Sequence, residues 1–262
     1  MCIIYIDLIK RTSAHEKEIK MKKLLALVLT VVLAFSLVAC FNQVDPNAKS
    51  EGVMTYDEYV AAEVGSQVVI EAFVQAKQGW WNDQLTLYLQ DGNGGYFSYN
   101  TTCSESLAES LVIGTKVKIS GEKAVWSGEV EIMNGTVEIS GTDTWIAPVL
   151  DATALLGTDD LIKHQNEKVS FKGMTVVASE GGAAFLYNWD GSGSADSDSD
   201  LYFNVSINGE TYTFVIEYYL TGPDSDAYKA VQALNVGDVI DVEGFLYWYN
   251  DAQPHITSVT VK

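Results

Sequence analysis

A nine-residue pattern that occurs twice constrains how this chain can fold. Ile113-Gly114-Thr115-Lys116-Val117-Lys118-Ile119-Ser120-Gly121 returns 123 positions later as Val236-Gly237-Asp238-Val239-Ile240-Asp241-Val242-Glu243-Gly244. In each copy a glycine opens a run of alternating apolar and polar residues, and a second glycine closes it. Alternation with period two puts one face of a strand into a core and the other into water. A strand that recurs with the same punctuation implies one module used twice.

The segments around each copy fill out that module. Thr55-Tyr56-Asp57-Glu58 has the form of a capping box and predicts a short helix to about Ala62. Val68–Gln75, Leu85–Gln90 and Tyr96–Tyr99 read as strands, the last two joined through Asp91-Gly92-Asn93-Gly94-Gly95. Ser104–Leu111 reads as a short capped helix, the repeated motif as a fourth strand, and Gly128–Ile139 as a fifth. The second half follows the same order. Thr158–His164 is a helical lead-in, followed by strands at Val169–Val176, Leu201–Ile207 and Thr211–Ile216. A helix over Ser225–Leu234 and strands at Val239–Tyr247 and His255–Val261 complete it. The offset grows from 101 residues at the first strand to 123 at the fourth, which places an insertion mainly in Ala183–Asp200. Five strands with a helix between the third and fourth is the order of an OB-fold. The expected class is therefore all-β with short helices, as two tandem OB-fold-like five-stranded Greek-key barrels. The domains would span 54–144 and 158–262, with 145–157 as a linker.

The amino-terminal segment has another character. Met21-Lys22-Lys23 precedes an apolar run from Leu24 to Val38, too short for the roughly 20 residues of a spanning helix. A basic start, an apolar stretch and small residues before Cys40 describe an export signal over 21–39. Residues 1–20 then read as an extension of the gene model, and 40–53 as a polar tether. Leu37-Val38-Ala39-Cys40 resembles the lipobox of bacterial lipoproteins. That resemblance implies cleavage before Cys40, acyl chains on its thiol and anchorage at the outer face of the cell membrane, where more than one chain gives a stable hold. Tandem barrels behind a lipobox resemble the OB-fold lipoproteins exported by Gram-positive gut bacteria. For such OB-folds the resemblance implies oligonucleotide, oligosaccharide or protein ligands, and fold alone does not choose among them.

Charge narrows the choice. Of 16 basic and 35 acidic residues, six and three precede Cys40, which leaves ten lysines against 32 acids. The formal charge from Cys40 onward is −22, and the only arginine, Arg11, lies before it. Such a domain repels phosphate backbones, which argues against nucleic acid as a partner and makes single-stranded nucleic-acid binding the disfavoured alternative. With Cys2 and Cys40 set aside, Cys103 has no disulfide partner within the chain.

Aromatic residues are the main functional signal. Trp80 and Trp81 fall in the first inter-strand loop, Tyr96 and Tyr99 on the third strand, and Trp126 after the fourth. Aromatic faces beside carboxylates and amides suit sugar rings, whose CH groups stack while hydroxyls donate. The same residues could instead close the barrel ends, and Trp189 and Tyr247-Trp248-Tyr249 are open to both readings. The run Asp190–Asp200 is either a solvated acidic loop or a weak calcium site at Asp196, Asp198 and Asp200. No nucleophile–base pair can be placed around His164 or His255, so neither an enzyme nor a cofactor is expected. The leading expectation is a membrane-anchored, non-catalytic protein that binds an extracellular glycan through Trp80, Trp81, Tyr96, Tyr99 and Trp126. The alternative is a scaffold for a cationic envelope protein.

Overall fold

The structure, a computed structural model, describes residues 44–262. The signal segment and Cys40 lie outside the described residues. The first barrel comprises α1 (Tyr56–Ala61), β1 (Gln67–Lys77), β2 (Gln84–Gln90), β3 (Gly95–Thr102), α2 (Glu105–Ser110), β4 (Thr115–Trp126) and β5 (Glu129–Thr144). Its strands close in the order β1-β2-β3-β5-β4, with β4 returning to β1 and only β3 and β5 parallel. Val68, Ile70, Ala72 and Val74 of β1 point inward, as their alternation requires, onto Leu85, Leu87, Leu89, Val117, Ile119 and Ile132.

After β6 (Leu150–Asp151) the second barrel repeats the first. It contains β7 (Lys168–Val177), β8 (Leu186–Tyr187), β9 (Leu201–Ile207), β10 (Glu210–Ile216), α3 (Tyr218–Thr221), α4 (Asp226–Gln232), β11 (Val239–Phe245), β12 (Trp248–Tyr249), β13 (Asp251–Ala252) and β14 (His255–Val261). β7, β9, β10, β14 and β11 close upon themselves, and β10 and β14 form the parallel pair. Phe171, Met174, Val176, Phe203, Val205, Phe214 and Ile216 fill the interior. Each barrel has its helix between the third and fourth strands, capped by Ser104 in one and Ser225 in the other.

The repeated glycines have two jobs. Gly114 and Gly237 sit at φ +90° and +97°, where side chains are strained, and their amides donate to Val74 and Val176 of the paired first strands. The second glycines do not end their strands, contrary to the sequence expectation. Register slips at Ser120/Glu122 and Glu243/Gly244, and each strand bends there through a bulge. A Cβ on Gly244 would lie 2.1 Å from the His255 carbonyl oxygen, so only glycine allows this approach. Two further corrections are local. The lead-in at Thr158–His164 is a 3-10 turn over Leu161–His164, and the fourth strand of the second barrel stops at Phe245.

The flanking polar segments are tied to the barrels. Ser50 donates to the Glu71 carboxylate from both its amide and its hydroxyl, and Lys49 pairs with buried Asp91. From Asp45 onward the stretch read as a tether therefore lies against the first barrel. In the stretch read as a linker, Trp145 packs on Phe73 and Leu150-Asp151 pair with β7.

Candidate functional site: a cleft between the barrels

The two barrels meet on side chains that point out of their cores. On β2 and β3, Tyr88 and Phe97 alternate with core residues and pack with Phe245 of β11, with ring centroids 4.8 Å apart for Tyr88–Phe245. The Tyr88 hydroxyl lies 2.7 Å from His255 Nδ1, and the imidazole stacks on Tyr247 at 4.1 Å. Burial lowers the His255 pKa to about 3, so the ring is neutral and can accept the phenol hydrogen. Around this apolar centre, hydrogen bonds cross the seam. Gln165 Nε2 donates to the Gly128 carbonyl, Asn166 Nδ2 to Val130, and the Lys168 amide to Gln90. The Trp248 amide donates to the buried Glu129 carboxyl, whose pKa burial raises. Polar contacts around an aromatic centre hold the barrels in one arrangement, although Glu129 Oε1 is buried without a hydrogen-bond partner.

Above the seam the barrels part and leave an open cleft of about 1050 Å³. Period two decides what faces it. On β3, Tyr96 turns inward while Phe97 and Tyr99 turn to the cleft. On β5, Ile132 is in the core while Glu131 and Met133 line the cleft, and on β9, Phe203 is inside while Tyr202 and Asn204 line it. Trp126 at the end of β4, Tyr249 of β12 and Trp189 of the insertion complete the aromatic walls. Both modules therefore contribute strand faces to a single site.

The cleft is acidic. Glu131, Glu180, Asp200 and Glu217 line it, with Gln78, Gln253 and Thr213, and none of the lining residues is a lysine or arginine. Burial, with Asp200 nearby, pushes Glu217 up to about 7 even though Leu220 N and Gln78 Nε2 donate to it. Asp200 is also raised by burial, against a hydrogen bond from the Tyr218 amide. Burial raises Glu131 as well, and its carboxyl has no hydrogen-bond or ion-pair partner among the described residues.

The sequence candidates divide on this geometry. Tyr99 and Trp126 line the cleft, as do Trp189, Tyr247 and Tyr249. Tyr96 does not, because its ring is in the first core against Tyr56 and Tyr59 and its hydroxyl donates to Asp91. Trp80 is half-buried on the same core, and its indole donates to the Cys103 carbonyl. Trp81 is 73% exposed but does not line the cleft. Of the acidic loop only Asp200 reaches the cleft, and no cluster of three metal-ligating side chains occurs among the described residues. Cys103 is buried, which raises its thiol pKa. Sequence reasoning missed Tyr202 and Glu131. The outward half of each strand's alternation carries them, but a solvent face and a cleft face look alike along one chain.

No known family matches the chain, and no curated protein does. Some solved structures are similar to it at low identity and low TM-score. The Ifi202 HINa domain in complex with 20-bp double-stranded DNA is 12% identical with a TM-score of 0.31, over 75% of this chain and 98% of that one. The p202 HIN1 domain with a 12-mer double-stranded DNA is 12% identical with a TM-score of 0.33, over 84% and 99%. A replication protein A heterotrimer bound to single-stranded DNA is 12% identical with a TM-score of 0.31, over 82% of this chain and 51% of that one. Closed five-stranded barrels, one after the other and sharing one strand order, make this chain a tandem of two OB-fold-like modules.

Proposed function

We propose that the protein binds a glycan, without catalysis, in the cleft that its two barrels share. One observation carries the reading. Exposed aromatic side chains from both modules (Tyr99, Trp126, Trp189 and Tyr249) converge on one cleft with carboxylates and amides between them. Sugar rings stack on such faces while acids and amides accept hydroxyl hydrogens. A nucleic acid asks for the reverse, cations along a backbone, and this cleft has none to give. An oligonucleotide nevertheless belongs in the test, because OB-folds accommodate oligonucleotides as well as oligosaccharides.

The test is a titration of intrinsic tryptophan fluorescence with soluble polysaccharides, peptidoglycan fragments and a single-stranded oligonucleotide at low salt. The expected result is a saturable shift with a glycan and none with the oligonucleotide. Saturable binding of the oligonucleotide, with no glycan bound, would reverse the assignment. Display outside the cytoplasmic membrane on a lipid at Cys40 belongs to the same proposal and is supported by Leu37–Cys40 alone. Cys40→Ala should then move the protein out of the membrane fraction.

A further inference from the structure

The charge of the cleft says something about the glycan. Glu131 is 6% exposed and lines the cleft from β5, beside Met133 and within reach of the aromatic walls. Its carboxyl receives no hydrogen bond and no ion pair from any described residue. Glu217, by contrast, accepts from Leu220 and Gln78, and Asp200 from Tyr218, while Glu180 is exposed to solvent. The Glu131 oxygens open on the cleft, so a donor carried by the ligand can satisfy a carboxyl that no side chain of the protein does. The field around it has one sign, because Glu180, Asp200 and Glu217 line the same cleft and His255 is neutral. Exposed tryptophan faces add to that field, since their π systems attract cations.

Resting on the glycan reading above, we infer that the ligand carries free, protonated amino groups, and that Glu131 receives one of them in the cleft. The class is an amino sugar that is not N-acetylated. Neutral sugars would stack on the same rings and offer Glu131 a hydroxyl hydrogen but no matching charge, and uronic acids would meet four carboxylates. A basic peptide could supply the cation too, but the amide and hydroxyl groups of Gln78, Asn204 and Thr213 suit a polyol better.

The test compares a glucosamine oligomer, its fully N-acetylated counterpart and a neutral glucose oligomer of equal length, each titrated below the amine pKa. A tri-lysine peptide serves as a fourth arm. The inference expects the glucosamine oligomer to bind about tenfold tighter or better than the acetylated one. It also expects Glu131→Gln to erase that difference, with the free-amine oligomer weakened far more than the neutral one. Equal affinity for acetylated and free-amine oligomers would overturn the inference and leave the glycan reading standing. Silence with every oligosaccharide would sink both, as would binding of the peptide alone. Glu131→Gln removes a buried, unpaired carboxylate, so it should fold, and an unchanged melting temperature verifies that each comparison uses folded protein.

Discussion

Replacing Glu217 with glutamine should make the protein more stable at neutral and mildly alkaline pH. Glu217 lies at the rim of the seam, where it caps α3 through Leu220 N at 2.6 Å and accepts from Gln78 at 3.0 Å. Burial and the Asp200 charge raise its pKa from 4.5 to about 7. A carboxyl with a raised folded-state pKa binds its proton more tightly folded than unfolded. Its contribution is therefore fully favourable below about pH 4.5 and is lost as pH rises through about 7. At about 1.4 kcal/mol for each tenfold gain in proton affinity, the loss is roughly 2–4 kcal/mol. Glutamine keeps the acceptor oxygen for both hydrogen bonds and never ionises. Glu217→Gln should match wild type near pH 4.5 and exceed it by roughly 2–4 kcal/mol near pH 8. The assay is urea unfolding of both proteins at several pH values, read by tryptophan fluorescence and circular dichroism together. Asp151, Asp160, Asp190 and Asp241 have lowered pKa values and titrate below this window, so they leave the comparison unaffected. Parallel stability curves for the two proteins across that range would refute the argument.

Three further substitutions probe the seam and the first barrel. Tyr88→Phe removes the hydroxyl that meets His255 Nδ1 in a buried site and should cost about 1–3 kcal/mol in urea unfolding. Gly95→Ala would set a Cβ 2.2 Å from the Asn166 carbonyl carbon in the other barrel, so calorimetry should show the barrels melting apart or a markedly lower transition. Lys123 is buried and donates to the Tyr59, Val60 and Ala62 carbonyls at the end of α1, so Lys123→Met should destabilise by roughly 1–3 kcal/mol, seen as a lower urea midpoint.

Much of the architecture is legible in one chain, because a half-buried strand writes its own face into its residue order. Val68, Ile70, Ala72 and Val74 show which side of β1 is core, and Asn208-Gly209 shows where β9 turns into β10. The glycines of the repeat are legible as punctuation but not as bulges, since a close approach depends on the neighbouring strand. The site is harder to read. Tyr96 and Tyr99 both look like binding aromatics, yet their odd separation of three places them on opposite faces of β3, and only the barrel's closure decides which face is inside. Trp80 and Trp81 attract attention as a pair, although one covers a barrel end and the other stands apart from the cleft. Tyr88, Phe97, Phe245 and His255 carry no mark of a seam, because contact between modules leaves no periodic trace along either segment.

The central claim is that one cleft, built by both barrels, takes the ligand. Calorimetric titration of a soluble glycan into wild type, a Trp126→Ala/Trp189→Ala double variant and Trp81→Ala tests it most directly. The account predicts one ligand per chain in wild type and Trp81→Ala, and loss of binding in the double variant with folding intact. Two independent ligands per chain, or binding lost in Trp81→Ala and kept in the double variant, would contradict it.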